Sequence, residues 1–172
     1  MGPVSATIEI DAPRQRVFEV LCDLSLRPAF TDHFLSGFHL TRIDPIGVGA
    51  GARFRAQAPL HSPWMDTAIV EMLEPQRIVE RGRGGRANRV PVLTAWELNE
   101  GPGSLTRVSV SQWTEPSSPV DRGVELLSGM SIWRGRGWRE AMRRLRDLLE
   151  SERAERSRVM VAGGNRHATG IP

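Results

Sequence analysis

The sequence predicts an α+β fold in which a curved antiparallel sheet of seven strands is covered by one long C-terminal helix. The order of the elements predicts this fold: one strand and two short helices come first, six strands follow, and an amphipathic helical run ends the series. Consecutive strands joined by short links pair in antiparallel fashion, and a sheet of this many strands curls. The terminal helix is the only predicted element long enough to cover the concave face.

The N-terminal region contains the first strand and both short helices. Residues 4–10 alternate between apolar and polar types and are rich in β-branched side chains, which predicts a strand. Asp11 is the predicted N-cap of a helix at 14–24. A second short helix, at 28–34, is predicted to contribute two aromatic side chains to the interior, Phe30 and Phe34.

From residue 37 onward the apolar period changes to two, which predicts strands. The six strands are predicted at residues 37–44, 52–58, 64–73, 77–82, 90–99 and 105–115. Glycine and proline mark the links between them. The arginine–glycine stretch RGRGGRANR, at 81–89, is one of these predicted turns.

The terminal helix is predicted from about residue 119 to 155, with one apolar face at a 3.6-residue period. That face carries Val124, Leu127, Trp138, Met142, Leu145, Leu148 and Leu149. Ser131 and Gly135 lie on the same face, where larger side chains are expected. An apolar face with a gap of small residues predicts a helix laid over a hollow rather than over a filled core.

Composition indicates one globular domain of ordinary size. The chain has 172 residues, of which 40% are hydrophobic and 25% charged; residues 1–152 are predicted as the domain and 153–172 as a disordered tail. The N-terminus lacks the pattern of a signal peptide, so a cytoplasmic location is expected. All 23 basic residues are arginine and the formal net charge is only +3, so no nucleic-acid partner is expected.

Several motifs resemble, in order, those of the START-like (SRPBCC) superfamily, in its polyketide cyclase/dehydrase and lipid-transport branch. They are IEIDAPRQRVFEVLCDL with RPAF, then GVGAGARFR, EMLEPQRIV, TAWEL and GSLTRVSV. The resemblance covers about residues 4–150 and implies a helix-grip fold with a cavity between sheet and terminal helix. Members of the superfamily include polyketide cyclases, lipid and hormone binders, ubiquinone-binding proteins and chaperone co-factors, so fold alone does not select a function.

Three functions therefore stay open at this point. The first is binding of a hydrophobic small molecule (a lipid, polyketide or isoprenoid-like compound) in the cavity. The second is a polyketide cyclase or dehydratase that acts on a poly-β-ketone or aromatic intermediate. The third is a protein-interaction module of the chaperone co-factor type. The sequence has no HExxH, CxxC or glycine-rich phosphate loop, so no metal or cofactor is expected, and the chain is expected to be a monomer or homodimer.

The candidate site residues come partly from the resemblance. In similar cyclases an arginine on the third strand points into the cavity, which implies a catalytic role for Arg55, with Arg53 beside it. The alternative is that both arginines face solvent and Phe54 faces inward. His61, in the loop before the fourth strand, is the candidate proton relay. The predicted ligand-binding residues are Phe30, Phe34, Arg53, Arg55, Gln57, Trp64, Trp96, Val108, Val110, Ser131, Gly135, Trp138 and Met142.

Overall fold

A seven-stranded antiparallel sheet forms the body of the protein. The computed structural model describes residues 3–57, 62–85, 88–115, 123 and 130–164. The strands are β1 Val4–Ile10, β2 Leu35–Leu40, β3 Gly51–Ala56, β4 Trp64–Leu73, β5 Arg77–Gly84, β6 Val90–Glu100 and β7 Thr106–Thr114. Their order in the sheet is β1-β7-β6-β5-β4-β3-β2. The predicted meander is therefore confirmed, with β1 and β2 as its two edges.

The helices between β1 and β2 are shorter than predicted. They are α1 Arg14–Cys22, a 3-10 turn at Leu24–Leu26, and α2 Pro28–Thr31. The first helix ends early because the carboxylate of Asp23 accepts a hydrogen bond from the N–H of Ser25 and caps the 3-10 turn instead.

Asp11 was predicted as the N-cap of α1, and this prediction is wrong. The N-cap is Pro13, which makes no side-chain capping bond. The backbone N–H of Asp11 donates to Glu150 Oε1 at 3.1 Å. This contact ties the end of β1 to the terminal helix.

The terminal helix, α3, is described from Met130 to Gly164. It thus runs past residue 152, the predicted end of the domain; that boundary and the disorder of 153–172 stay predictions. The predicted beginning of the helix, with Val124 and Leu127, falls outside the described residues, as do residues 165–172.

The core lies between α3 and the concave face of the sheet. Trp138, Met142, Leu145 and Leu149 of the helix belong to one buried apolar cluster with side chains of β5, β6 and β7, among them Ile78, Trp96, Leu98, Val108 and Val110. The predicted burial of Phe30 and Phe34 is confirmed. Burying one such large apolar side chain contributes about 1.5–3 kcal/mol, so this interface supplies much of the stability of the fold.

The sequence predicts a gap of small residues on α3 at Ser131 and Gly135; the glycine of α3 that makes a tight contact is a different one, Gly137. A Cβ at Gly137 would lie 2.5 Å from Cδ2 of Phe34, whereas one at Gly135 would meet only Cγ1 of Val4, at 3.6 Å. Gly137 therefore lets the helix approach the ring of Phe34, and Gly135 has room to spare.

Alanine at these two positions should have opposite effects on stability. Gly135→Ala should raise the free energy of unfolding by up to about 1 kcal/mol, because alanine is the better helix former. Gly137→Ala should lower it, since overpacking against Phe34 costs about 1–3 kcal/mol. Urea denaturation followed by tryptophan fluorescence measures both changes. Equal gains in the two variants would contradict the contact between Gly137 and Phe34.

Candidate functional site

A row of three buried polar side chains crosses the concave face of the sheet. Glu80 on β5 lies opposite Thr94 on β6, which lies opposite Gln112 on β7. All three are nearly inaccessible to solvent. Because alternate residues of a strand face the same side, this polar row shares its face with the apolar core residues two positions away on each strand.

Arg27 forms a buried ion pair with the first member of the polar row. Arg27 is only 3% exposed, and its Nη2 donates to Glu80 Oε1 at 2.7 Å and to the carbonyl of Leu21 at 3.2 Å. Trp96 Nε1 donates to the same carboxylate oxygen at 2.9 Å. The guanidinium carbon lies 4.8 Å from the centre of the Trp96 ring, so the cation is held by charge, hydrogen bonds and an aromatic face together.

One N–H donor of Arg27 makes no hydrogen bond in the described structure. Arg27 Nε is buried and has no hydrogen-bond partner among the described residues. A buried donor without a partner costs about 1–3 kcal/mol. It is therefore a candidate to receive an acceptor atom from a bound molecule.

The other end of the polar row joins the sheet to α3. Gln112 Nε2 donates to Thr94 Oγ1 at 3.2 Å, and Trp138 Nε1 donates to Gln112 Oε1 at 3.3 Å. Both ends of the Gln112 amide are thus engaged, which fixes its orientation. The ring of Trp138 also meets that of Trp96 edge-on, with centroids 5.3 Å apart.

An internal cavity of about 10 Å³ lies between these groups. Its polar lining consists of Arg27, Thr67 and the polar row, and its other lining residues are Leu24, Leu35, Phe38, Ala52, Phe54 and Trp138. A cavity of this size accommodates about one water molecule. The described interior is therefore closed around a polar centre.

The structure decides which side of β3 faces the interior. Phe54 is buried, and it stacks on Phe38 with ring centroids 5.6 Å apart. Arg53 and Arg55 are exposed on the outer side. The expectation that these arginines point into the cavity is corrected accordingly, and the alternative with Phe54 inside is the observed one.

The remaining predicted site residues fall into four groups. Buried in the interior are Phe30, Trp96, Val108, Val110, Trp138 and Met142. On the outer side or partly exposed are Gln57, Trp64, Ser131 and Gly135. His61 lies outside the described residues. Phe34 is buried beneath a second cavity, an outer cleft of about 700 Å³ between α3, the edge strand β2 and its neighbour β3, which Arg55 and Gln57 also line.

The polar row and Arg27 are not among the site residues predicted from the sequence. A signal for them is present: Glu80 falls in phase with Ile78, and Gln112 with Val110, on strand faces that are otherwise apolar. A polar residue at an inward position of a strand is unusual enough to indicate a buried polar contact.

The fold is the helix-grip type that the sequence motifs predicted, and a family match places the chain in the START-like (SRPBCC) superfamily. Within that superfamily, residues 11–150 match the family described as activator of Hsp90 ATPase homolog 1-like protein. The match spans most of the chain, so the chain belongs to this family. Comparison with curated proteins found no significant match.

Solved structures share the fold at low sequence identity. TTHA0849 from Thermus thermophilus has a TM-score of 0.70 at 16% identity, over 87% of this chain and 98% of its own. A START superfamily protein from Mycobacterium smegmatis has a TM-score of 0.62 at 14% identity, over 88% and 99%. DynU16, a putative protein in the dynemicin biosynthetic locus, gives 0.56 at 19% identity, over 88% of this chain and 48% of its own. These likenesses show a common fold.

Two further observations concern membrane-spanning helices and metal-binding groups. Among the described residues, no helix combines the length and apolar character needed to span a membrane. Within the same residues, no three His, Cys, Asp or Glu side chains are grouped so as to hold a metal ion.

Proposed function

We propose that the protein binds an apolar small molecule between the curved sheet and α3, with a polar group of the ligand at the polar row and Arg27. The observation that carries this proposal is the buried ion pair of Arg27 and Glu80 beside an internal cavity. Transferring two charges from water to a protein interior costs several kcal/mol per ion, and such a pair is a poor source of stability. Recognition of a polar ligand group accounts for its presence better than folding does.

The unpartnered Nε of Arg27 indicates the chemistry of that group. Because this nitrogen carries a hydrogen, its partner must be an acceptor, such as a carbonyl, ether or hydroxyl oxygen. The ring of Trp138, which lines the cavity and packs edge-on against Trp96, suits a flat or extended apolar body. The ligand class is therefore an apolar molecule with at least one oxygen acceptor.

Binding requires the internal cavity to grow, because small-molecule pockets measure about 300–1,000 Å³. The wall suited to move is β2, an edge strand whose pairing with β3 shifts register between Ser36 and His39. Leu35 and Phe38 on this strand line the cavity. Displacing them widens the space without breaking a central strand of the sheet.

A valine in place of Thr94 should weaken ligand binding. Native mass spectrometry of freshly purified protein first identifies any molecule that comes with it, and the solvatochromic naphthyl ketone prodan then serves as a probe with one carbonyl acceptor. Thr94→Val should reduce the affinity for prodan by about tenfold, because the hydroxyl and its anchoring of Gln112 are lost.

The matched control is Thr7→Val on β1, which also removes a hydroxyl, one that is exposed and bonded to Ser109 at 3.0 Å. This variant should change the prodan affinity by less than about twofold, since a surface substitution has a small effect. Equal losses in both variants, or wild-type protein that carries no molecule and binds no prodan, would contradict the proposal.

A cyclase or dehydratase activity is the second candidate, and the geometry changes its expected residues. Arg55 faces outward, so it is not placed to orient an enolate in the interior. Among the residues that the structure describes, the ionisable groups that line the internal cavity are Arg27 and Glu80. If an activity on a poly-β-ketone is found, Glu80→Gln should abolish it and Arg55→Ala should not.

A further inference from the structure

We propose that the outer cleft is a second, separate ligand site, which takes an aromatic or apolar molecule carrying an anionic group. Its volume of about 700 Å³ lies within the range of small-molecule pockets, about 300–1,000 Å³. Two arginines line it from opposite sides, Arg55 on β3 and Arg136 on α3. A carboxylate or a phosphate is the group that guanidinium donors recognise best.

Both arginines are free to bind an anion. In the described part of the chain, neither Arg55 nor Arg136 forms an ion pair with a carboxylate. Arg53 differs, because its Nε lies 3.5 Å from Asp66 Oδ1. Other exposed arginines, such as Arg139, also have no carboxylate partner in the described part of the chain, but Arg55 and Arg136 are the two described arginines that line this cleft.

Arg55 is also held in place before any ligand arrives. Its guanidinium carbon lies 4.8 Å from the centre of the Trp64 ring, and that of Arg53 lies 5.0 Å from the same centre. An exposed cation–π contact of this kind contributes about 0.5–1 kcal/mol. A side chain already ordered by stacking loses less conformational entropy when it binds a ligand.

Glu140 is the acidic residue among the described ones that line the outer cleft, and it does not cancel this charge. Glu140 accepts hydrogen bonds from Arg143 Nη1 at 3.1 Å and from Arg144 Nε at 3.4 Å. The hydrogen bond from Arg143, together with that from Arg144, lowers the pKa of the Glu140 carboxyl. Its negative charge is therefore shared with arginines of its own helix, which leaves Arg55 and Arg136 to set the charge of the cleft.

The apolar part of the ligand would lie against Trp133 and Phe34. Trp133 is 45% exposed although it is a large apolar residue, and it lines the outer cleft together with Phe34. A half-exposed indole offers a face on which a flat molecule can stack. An aromatic body with an anionic substituent thus matches both walls of the cleft.

The outer cleft and the internal cavity are separated by side chains. Phe34 lies beneath the cleft, and its ring centroid is 5.1 Å from that of Trp138, which lines the internal cavity. Substitutions at one site therefore leave the lining of the other unchanged. The two sites can be tested independently.

Three probes with one aromatic body test the cleft: naphthoate, naphthyl phosphate and the neutral naphthamide. Isothermal titration calorimetry should show that one or both anions bind at least about tenfold more tightly than naphthamide, the value of one charge-assisted hydrogen bond. Arg55→Ala and Arg136→Ala should each weaken anion binding by about tenfold or more. The anion that binds more tightly tells whether the natural ligand is a carboxylate or a phosphate.

The matched control is Arg53→Ala, which removes the same charge from the same strand and the same Trp64 contact but lies outside the cleft lining. It should change the affinity for the anions by less than about twofold. Thr94→Val should leave that affinity unchanged, so failure of the interior proposal does not affect this one. Binding of naphthamide as tight as that of the anions, or equal losses for Arg53→Ala and Arg55→Ala, would overturn the assignment.

Discussion

Glu80→Ala should lower the free energy of unfolding by about 3–5 kcal/mol, the usual cost of breaking a buried ion pair by removing one partner. The substitution leaves the guanidinium of Arg27 buried without a counter-charge. It also removes the acceptor of Trp96 Nε1. Urea denaturation monitored by tryptophan fluorescence gives the change directly.

A surface pair provides the control for this prediction. Arg107 and Glu9 are bonded at 2.9 Å, but their side chains are 48% and 40% exposed. Glu9→Ala should therefore cost no more than about 1 kcal/mol. A loss at Glu80 as small as the loss at Glu9 would contradict the buried state of the Arg27–Glu80 pair.

Replacing both partners separates stability from binding. In Arg27→Met/Glu80→Leu no charge is left unpaired in the interior, so stability should recover most of the loss seen in Glu80→Ala. A deficit of about 1–3 kcal/mol should remain, because the buried Trp96 Nε1 still lacks its acceptor. If the pair serves ligand recognition, this stable double variant should bind prodan more weakly than the wild type. Unchanged prodan binding would mean that the pair has no part in recognition.

The fold was predictable because the patterns that predict it are local. The strand predicted at 64–73 is β4 with the same limits, and the strand at 4–10 is β1, because alternation and turn residues mark both ends. The N-cap prediction for Asp11 failed because the surroundings of this residue depend on tertiary contacts that the sequence does not show. One of them is the hydrogen bond from the backbone N–H of Asp11 to Glu150 Oε1 on the terminal helix.

The candidate site was less predictable because it is assembled across the sheet. Glu80, Thr94 and Gln112 are well separated along the chain, and only the pairing register of β5, β6 and β7 brings them into one row. Which face of β3 points inward was equally hard to predict, since one face is basic and the other carries small and aromatic side chains. In the structure Phe54 faces inward and stacks on Phe38 of β2. That contact depends on the irregular pairing of β2 with β3.

In the arginine–glycine stretch at 81–89, glycine can have either of two roles: it can form a turn, or it can allow two strands to approach closely. Its glycines predict a turn at 81–89, yet β5 continues through Gly84. Gly82 lies opposite Thr67 on β4, and a Cβ there would overlap the carbonyl oxygen of Asp66 and lie 2.7 Å from Cα of Thr67. A glycine within a strand can mark a place where another backbone approaches closely. Here it lets the sheet curl.

Gly82→Ala should therefore be among the most damaging substitutions in the chain. All three of the nearest atoms are backbone atoms of β4, so no side-chain rotation relieves the overlap and the ladder between β4 and β5 must break. The expected loss exceeds about 4 kcal/mol, which only exceptional substitutions reach. Urea denaturation measures this loss. A variant without a cooperative urea transition is unfolded already, which also agrees with the prediction.

Gly84→Ala is the control two residues along the same strand. Its added Cβ would lie 3.0 Å from Cγ of Met65 and 3.2 Å from the carbonyl oxygen of Trp64. Because the Met65 side chain is flexible, the overpacking should cost about 1–3 kcal/mol. The close packing of β4 and β5 thus requires glycine at position 82 and only favours it at position 84. Equal losses of stability in Gly82→Ala and Gly84→Ala would contradict the close backbone approach at Gly82.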